Sequence, residues 1–374
     1  EGLERKLQIA QSPQAAAMQI NGQARITFCS NDYLGLANHP RLVAALQQGA
    51  ARWGVGAGAA HLVNGHFEPH SELEFLLADW LAVPRALLLS TGYMANLAVV
   101  GGLVGRGDTV IADKLNHASL NDAAKLSGAT LLRYRHADMN DARRQLMRAE
   151  GVKMILTDGV FSMDGDVAPL STLMALAEEF DAWLVVDDAH GFGVWGGAGR
   201  GSLAQLGLTC RGVPDYLLQV GTLGKAFGSA GAFIAGAAQP IEVIMQRARS
   251  YVFTTAQPPA LAFATQTSLR LVQAGDDLRA AWRARVEQFK QGMPAGWRLM
   301  ASDTPIQPVL IGASSAALAA AQSLAQAGFW VPAIRPPTVP AGSARLRVTF
   351  SAAHTVDHVA ALLTALANLP RVDG

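Results

Sequence analysis

The chain has 374 residues, half of them hydrophobic and 16% charged, enough to bury a large core and form more than one domain. Its 30 basic residues against 29 acidic ones leave a formal net charge of +1, which gives no electrostatic footprint for nucleic acid or an anionic membrane and points to small-molecule work. Two cysteines, Cys29 and Cys210, exclude a disulfide framework, form no Cys-x-x-Cys pair, and suit a reduced cytoplasmic setting.

Residues 1–6 include no initiator Met and no apolar signal segment, so they read as a trimmed or incomplete start and take no part in the fold argument. No apolar run approaches the ~20 residues that a membrane helix needs. Short apolar runs at 86–89, 109–112, 154–157, 183–186 and 216–220 read as strands buried on both faces. Helical patterns lie between them at 96–104, 118–127 and 170–180. This alternation predicts an α/β fold, a mainly parallel sheet covered by helices, with ligands beyond the carboxyl ends of the strands. Asp187 and Thr222 fall at such ends.

After about residue 240 the texture changes. A long helical stretch from 259 to about 285 leads to strand-like runs at 307–311 and 345–350, the pattern of a smaller α+β domain. The expected division is an N-terminal segment at 1–33, a large domain at 34–272 and a C-terminal domain at 273–374. The chain contains no internal repeat or low-complexity linker.

The segment most telling of chemistry is Gly-Thr-Leu-Gly-Lys-Ala-Phe-Gly at 221–228, downstream of Val-Val-Asp-Asp-Ala-His-Gly at 185–191. A primary amine near a carboxylate that ends a buried strand suits pyridoxal phosphate. The amine can form a Schiff base with the aldehyde, and the carboxylate can keep the pyridine nitrogen protonated. By itself Lys225 could be a solvated loop lysine and Asp187 a helix cap. The surrounding glycines argue for close approach of a ligand to the backbone. The segment is no nucleotide P-loop, because only two residues separate Gly221 from Gly224 and Ala226 follows the lysine.

Three other patterns fail. His66 and His70 are four apart, but Pro69 between them would break a helix and no third ligand is apparent, so no metal is expected. Ser162, Asp187 and His190 lack the Gly-x-Ser-x-Gly elbow of a hydrolase. Gly54, Gly56 and Gly58 follow no strand of a dinucleotide fingerprint.

Several blocks together carry a family resemblance: 30–36, 159–166, 186–191, 221–228, and 334–340 running on to 344–347. On them the chain resembles the α-oxoamine synthases, a branch of the fold-type I pyridoxal phosphate transferases, over about 21–354. The resemblance implies a decarboxylative Claisen condensation. The last block favours L-alanine with a pimeloyl thioester, carried by CoA or acyl carrier protein, as in biotin biosynthesis. Glycine C-acetyltransferase is the sibling alternative; an aminotransferase or a non-catalytic cofactor-binding protein stands further off.

The resemblance also implies roles. Lys225 is the Schiff-base lysine and Cα base, Asp187 the partner of the pyridinium, and His190 and Ser162 the neighbours of the ring's phenolic oxygen. His117 lies against the ring face. Gly92 and Tyr93, at a glycine turn opening a helix, join the Thr222 hydroxyl at the phosphate. Thr254 and Thr255 complete that cup in a homodimer with shared active sites. Arg347 grips the amino acid's carboxylate, where the alternative is a surface strand arginine. Asn31, Arg335, Thr338 and Arg5 lie on the substrate side. Asp158 stands where relatives usually carry Glu, one methylene longer, so its hydrogen bond is expected to weaken or shift.

Overall fold

The computed structural model describes residues 7–208 and 213–369. Arg5 and Cys210 lie outside the described residues. The chain forms two compact units, one comprising His39–Phe161 and Val167–Ala274, the other Glu1–Asn38, Ser162–Asp166 and Gly275–Gly374.

The first unit is built on a seven-stranded sheet. Its spatial order is Arg85–Leu89, Ala232–Gly236, Leu217–Thr222, Ala182–Asp187, Lys153–Asp158, Thr109–Asp113 and Thr130–Tyr134. Only Ala232–Gly236 runs antiparallel to its neighbours. Alternate side chains of each strand enter different cores. Val185, Leu156 and Val110 join Val99, Ile241 and Ile244 in one cluster, while Leu184, Val186, Ile155 and Ile111 join Leu170, Leu173 and Leu176 in the other. Helices therefore cover both faces, which explains the unbroken apolar runs. Asp158, Asp187 and Thr222 each end a parallel strand, at the edge where the predicted ligand zone lies.

Two helix boundaries differ from the sequence reading. The helix expected at 96–104 spans Gly92–Leu103, because the Thr91 side chain caps it by accepting the Met94 N–H at 3.1 Å. The stretch from 259 to about 285 is two helices, Pro259–Gln273 and Asp276–Gly292. Gly275 interrupts the pattern, and Asp276 and Asp277 favour a fresh N-terminus there.

The second unit holds two sheets. One pairs the N-terminal strands Ala17–Ile20 and Gln23–Thr27 with Phe329–Trp330; the other has the antiparallel order Arg298–Leu299, Ile306–Gly312, Ala344–Thr349, Ala333–Ile334. N-terminal residues thus belong to the same unit as the C-terminal part of the chain. Phe28 is buried there, stacked on His354 at 4.3 Å and edge-on to Phe350 at 5.6 Å. No helix among the described residues is long and apolar enough to cross a membrane.

The glycines around Lys225 also have structural ends of their own. A Cβ on Gly221 would lie 2.3 Å from Phe233 Cζ and 2.7 Å from Phe192 Cδ2, so this glycine is required by aromatic packing across the sheet. Gly228 has φ +61° in the turn whose N–H bonds the Lys225 carbonyl at 2.9 Å. Gly224 is exposed, and a Cβ there would meet only ordinary contacts at 3.6 Å and beyond. Gly221→Ala is expected to destabilise the protein by about 1–3 kcal/mol through overpacking. Gly224→Ala should stay within about 0.5 kcal/mol of the parent. Urea denaturation of the two variants checks this contrast.

Candidate active site

The strand ends and the loops that follow them bring Lys225, His190, Asp187, His117, Asp158, Thr222 and Gly92 into one unit. Lys225 Nζ lies 2.9 Å from His190 Nε2. The lysine loop is closed at its base by Leu223 N–H to Gly231 O at 2.8 Å and Ser229 N–H to Leu223 O at 2.9 Å, so its amine is presented by a defined turn.

Asp187 is only 6% exposed. Its Oδ1 accepts the Ala189 N–H at 3.1 Å and its Oδ2 accepts Asn96 Nδ2 at 2.7 Å. Two carboxylate lone pairs remain for a further donor. Asn96, fully buried on the helix Gly92–Leu103, also donates from Nδ2 to Ser119 Oγ at 2.8 Å. Ser119 Oγ lies 2.7 Å from His117 Nδ1.

His117 is the N-cap residue of the helix Ala118–Ser127, and its Nδ1 also receives the Ser119 N–H at 3.3 Å. The residue is exposed, yet enough protein surrounds the ring for desolvation to lower its pKa; the Asp187 charge opposes this and the Lys225 charge adds to it. The imidazole is therefore held neutral more readily than a free one. Asp158 Oδ2 accepts the His117 N–H at 2.7 Å. Burial, and then the Asp187 charge on the neighbouring strand, push the Asp158 carboxyl well above the usual range.

The fit to a phosphate-bearing cofactor is read from Thr222 and Gly92. Thr222 Oγ1 is buried without a hydrogen-bond partner, although such a group costs free energy unless something binds it. A Cβ on Gly92 would come 2.6 Å from Thr222 Cγ2, so only glycine leaves that space open. Gly92 and Tyr93 occupy the first turn of their helix, where N–H groups have no intrahelical acceptor and the dipole favours an anion. The Tyr93 hydroxyl donates to Asp122 Oδ2 at 2.7 Å, so only its backbone N–H is left to face an anion at this turn. An amine, a carboxylate and an anion cradle within one unit suit pyridoxal phosphate.

In the other unit Arg347 is 5% exposed, which removes the reading of a surface strand arginine. Its Nε donates to Ser162 O at 2.6 Å, Nη1 to Thr349 Oγ1 at 3.1 Å and Nη2 to Asn31 Oδ1 at 3.2 Å. Asn31 and the Ser162 carbonyl thus meet at Arg347. Arg345, on the same face of the strand, bonds Asp164 Oδ1 at 2.8 Å. Arg335 is half-buried and Thr338 exposed, joined by a turn in which the Thr338 N–H donates to Arg335 O at 3.1 Å. Thr254 is half-buried and Thr255 exposed in the segment before the helix Pro259–Gln273.

The histidine segment departs from its sequence reading on two counts. Pro69 sits in the first turn of the helix Glu68–Leu81, where proline is tolerated, and His61 supplies a third imidazole beside His66 and His70. Their ligand atoms lie within 4.8 Å of one another. His70 nevertheless has both nitrogens in use: Nδ1 accepts the Phe67 N–H at 2.9 Å and Nε2 donates to Gln257 O at 2.9 Å. Burial lowers the pKa of His61 to about 3 and of His70 to about 4.

Sequence reasoning missed Asn96, Ser119 and Asp188. The first two were legible only as polar residues inside helical patterns. Asp188 is the second acid of the Asp-Asp pair, fully buried and bonded to Ser202 N–H and Ser202 Oγ at 2.6 Å each. Gly159, Gly191 and Gly201 are small because a Cβ on any of them would fall within 2.4 Å of its carboxylate. Burial raises the Asp188 pKa from 3.8 to about 7, against the Ser202 hydrogen bonds. The folded state therefore binds this proton more tightly than the unfolded chain, and the resulting stability is complete below about pH 4 and lost as pH rises through 7. Asp188→Asn should lower stability by about 1–3 kcal/mol near pH 4, where the parent carboxyl is protonated, and flatten the fall between pH 4 and 7, so that the deficit shrinks as pH rises. Thermal midpoints across that range check both effects.

The comparisons with known proteins point to the same cofactor. The family model described as aminotransferase class I and II matches residues 24–366. The 8-amino-7-oxononanoate synthase of Herminiimonas arsenicoxydans is 53% identical over 370 residues, covering 98% of this chain and 95% of that protein. Among solved structures, the serine palmitoyltransferase of S. paucimobilis with bound PLP–myriocin aldimine has a TM-score of 0.91 at 30% identity, covering 96% of this chain and 91% of that one. The 8-amino-7-oxononanoate synthase of Francisella tularensis has a TM-score of 0.79 at 30% identity, covering 92% and 97%. The chain accordingly belongs to the aminotransferase class I and II family of pyridoxal 5′-phosphate enzymes, in its 8-amino-7-oxononanoate synthase branch.

Proposed function

We propose that the chain condenses L-alanine with a pimeloyl thioester, losing carbon dioxide and the thiol, to give 8-amino-7-oxononanoate for biotin synthesis. The observation that carries this reading is the amine of Lys225, 2.9 Å from His190 Nε2, at the strand ends where Asp187 and the unpartnered Thr222 hydroxyl stand. Relatives at 52–54% identity over nearly the whole chain bear that activity's name.

Bound pyridoxal phosphate would supply an electron sink for charge developing at the amino acid's Cα, both on proton loss and on decarboxylation. Gly92 and Tyr93 N–H groups and the Thr222 hydroxyl hold the phosphate. Asp187 would keep a proton on the pyridine nitrogen, while His190 and Ser162 would serve the phenolic oxygen. Lys225 holds the cofactor before substrate arrives and then removes the Cα proton. The Cα displaces the thiol from the acyl carbon, the former alanine carboxylate leaves as carbon dioxide, and a proton returns to Cα. His117 would lie against the bound ring and donate to substrate. Arg347 holds the carboxylate by its planar fork, with Asn31, Arg335, Thr338 and Arg5 on the substrate side. A cytoplasmic homodimer, in which Thr254 and Thr255 of each copy complete the other's phosphate cup, belongs to the same proposal.

Cofactor-saturated protein given L-alanine and either pimeloyl-CoA or pimeloyl-acyl carrier protein should release carbon dioxide and amino ketone in equal amounts. Lys225→Ala should lower turnover at least about 100-fold. Product from glycine and acetyl thioester but not from alanine and pimeloyl thioester would overturn the substrate assignment in favour of the sibling reaction.

A further inference from the structure

We infer that Asn96 and Ser119 are positioning residues that fix the proton of His117 on Nε2, by passing the polarity of Asp187 along one chain of hydrogen bonds. The inference rests on the role proposed above for His117 and adds how that imidazole is kept a donor.

The direction of the chain follows from its first member. Asp187 Oδ2 is an acceptor, so the Asn96 amide must turn its NH₂ toward it, at 2.7 Å. The same nitrogen lies 2.8 Å from Ser119 Oγ and spends its second hydrogen there. The amide oxygen is left buried with no partner, which shows that the orientation is set by Asp187 and not by any need of Oδ1. Ser119 Oγ, already accepting, has its own hydrogen to give, and His117 Nδ1 stands 2.7 Å away.

A second, unconditional donor faces the same nitrogen. The Ser119 backbone N–H points at His117 Nδ1 at 3.3 Å as the cap of its helix. A proton on Nδ1 would set it against that N–H and uncap the helix. With two donors converging on Nδ1, the neutral ring carries its proton on Nε2. Asp158 holds the other end of the residue by accepting the His117 N–H at 2.7 Å, so the ring is fixed by its backbone as well as by its side chain. Substrate then meets an N–H donor on Nε2 and not a lone pair.

The experiment is nitrogen-15 NMR of the histidine rings, in protein selectively labelled at its nine histidines, with the His117 signals identified by their loss in His117→Gln. Cofactor-free and pyridoxal phosphate-loaded protein are both measured near pH 8. The expected result is an Nε2-protonated His117 in the parent and in Ser119→Thr, which keeps the hydroxyl. Ser119→Ala and Asn96→Leu should instead show a mixture with the Nδ1-protonated form. In loaded enzyme the same two variants should lose about tenfold in kcat/KM, the worth of one neutral hydrogen bond, and Ser119→Thr should recover it. An Nδ1-protonated ring in the parent overturns the inference, whether or not any variant folds. So does an unchanged pattern in folded Ser119→Ala. Because the tautomer is read without substrate, failure of the condensation assay beside an Nε2-protonated ring would refute the proposed reaction and leave the relay standing.

Discussion

The site depends on one buried carboxylate. Asp187 ends a strand in the middle of the large sheet, almost wholly removed from water, where an uncompensated carboxylate would be costly. Two donors compensate it, the Ala189 N–H from its own turn and the Asn96 amide from the helix laid over the sheet. Keeping that amide turned leaves its oxygen orphaned, at a cost of about 1–3 kcal/mol. A cost of this kind persists where function requires the orientation. Asp158, paired with Asp187 in register on the next strand, answers the same charge differently. Its raised pKa lets it take up a proton, so two adjacent carboxyls need not both be ionised in a dry environment.

The Asp-Asp pair shows how neighbouring residues of one type are given unlike tasks. Strand alternation sends Asp187 and Asp188 to different surroundings. Asp187 keeps acceptor capacity at the strand end. Asp188 turns into a pocket walled by three glycines and is consumed by Ser202. One acid thus keeps room for a further donor and the next anchors the loop that carries His190.

A similar division separates the two arginines of the strand Ala344–Thr349. Both reach the short segment Ser162–Asp166, Arg345 through Asp164 and the Met163 carbonyl, Arg347 through the Ser162 carbonyl. That capture is the physical reason this segment belongs to the same unit as the chain's two ends. Arg345 spends its charge on an ion pair, whereas all three contacts of Arg347 named above are neutral acceptors. None of those three partners carries a charge to offset its own.

The local chemistry of this protein was written in its sequence. Apolar runs announced strands buried on both faces, Asp187 and Thr222 were placed at strand ends, and Lys225 stood out by its neighbours, because periodicity and residue type act over a few positions. The edge strand Thr130–Tyr134 escaped notice since its exposed positions break the apolar run. Contacts distant in sequence could not be read in the same way. That Gly221 answers to Phe233 across the sheet was one such contact. His61 joined His66 and His70 only through the turn His61–Gly65, which precedes the helix carrying His70. Asn96 gained its meaning from a carboxylate 91 residues away. Sequence alone determined which groups could do the chemistry; tertiary structure decided which way each donor points and which acid keeps a proton, because both depend on burial and on partners that folding alone brings within 3 Å.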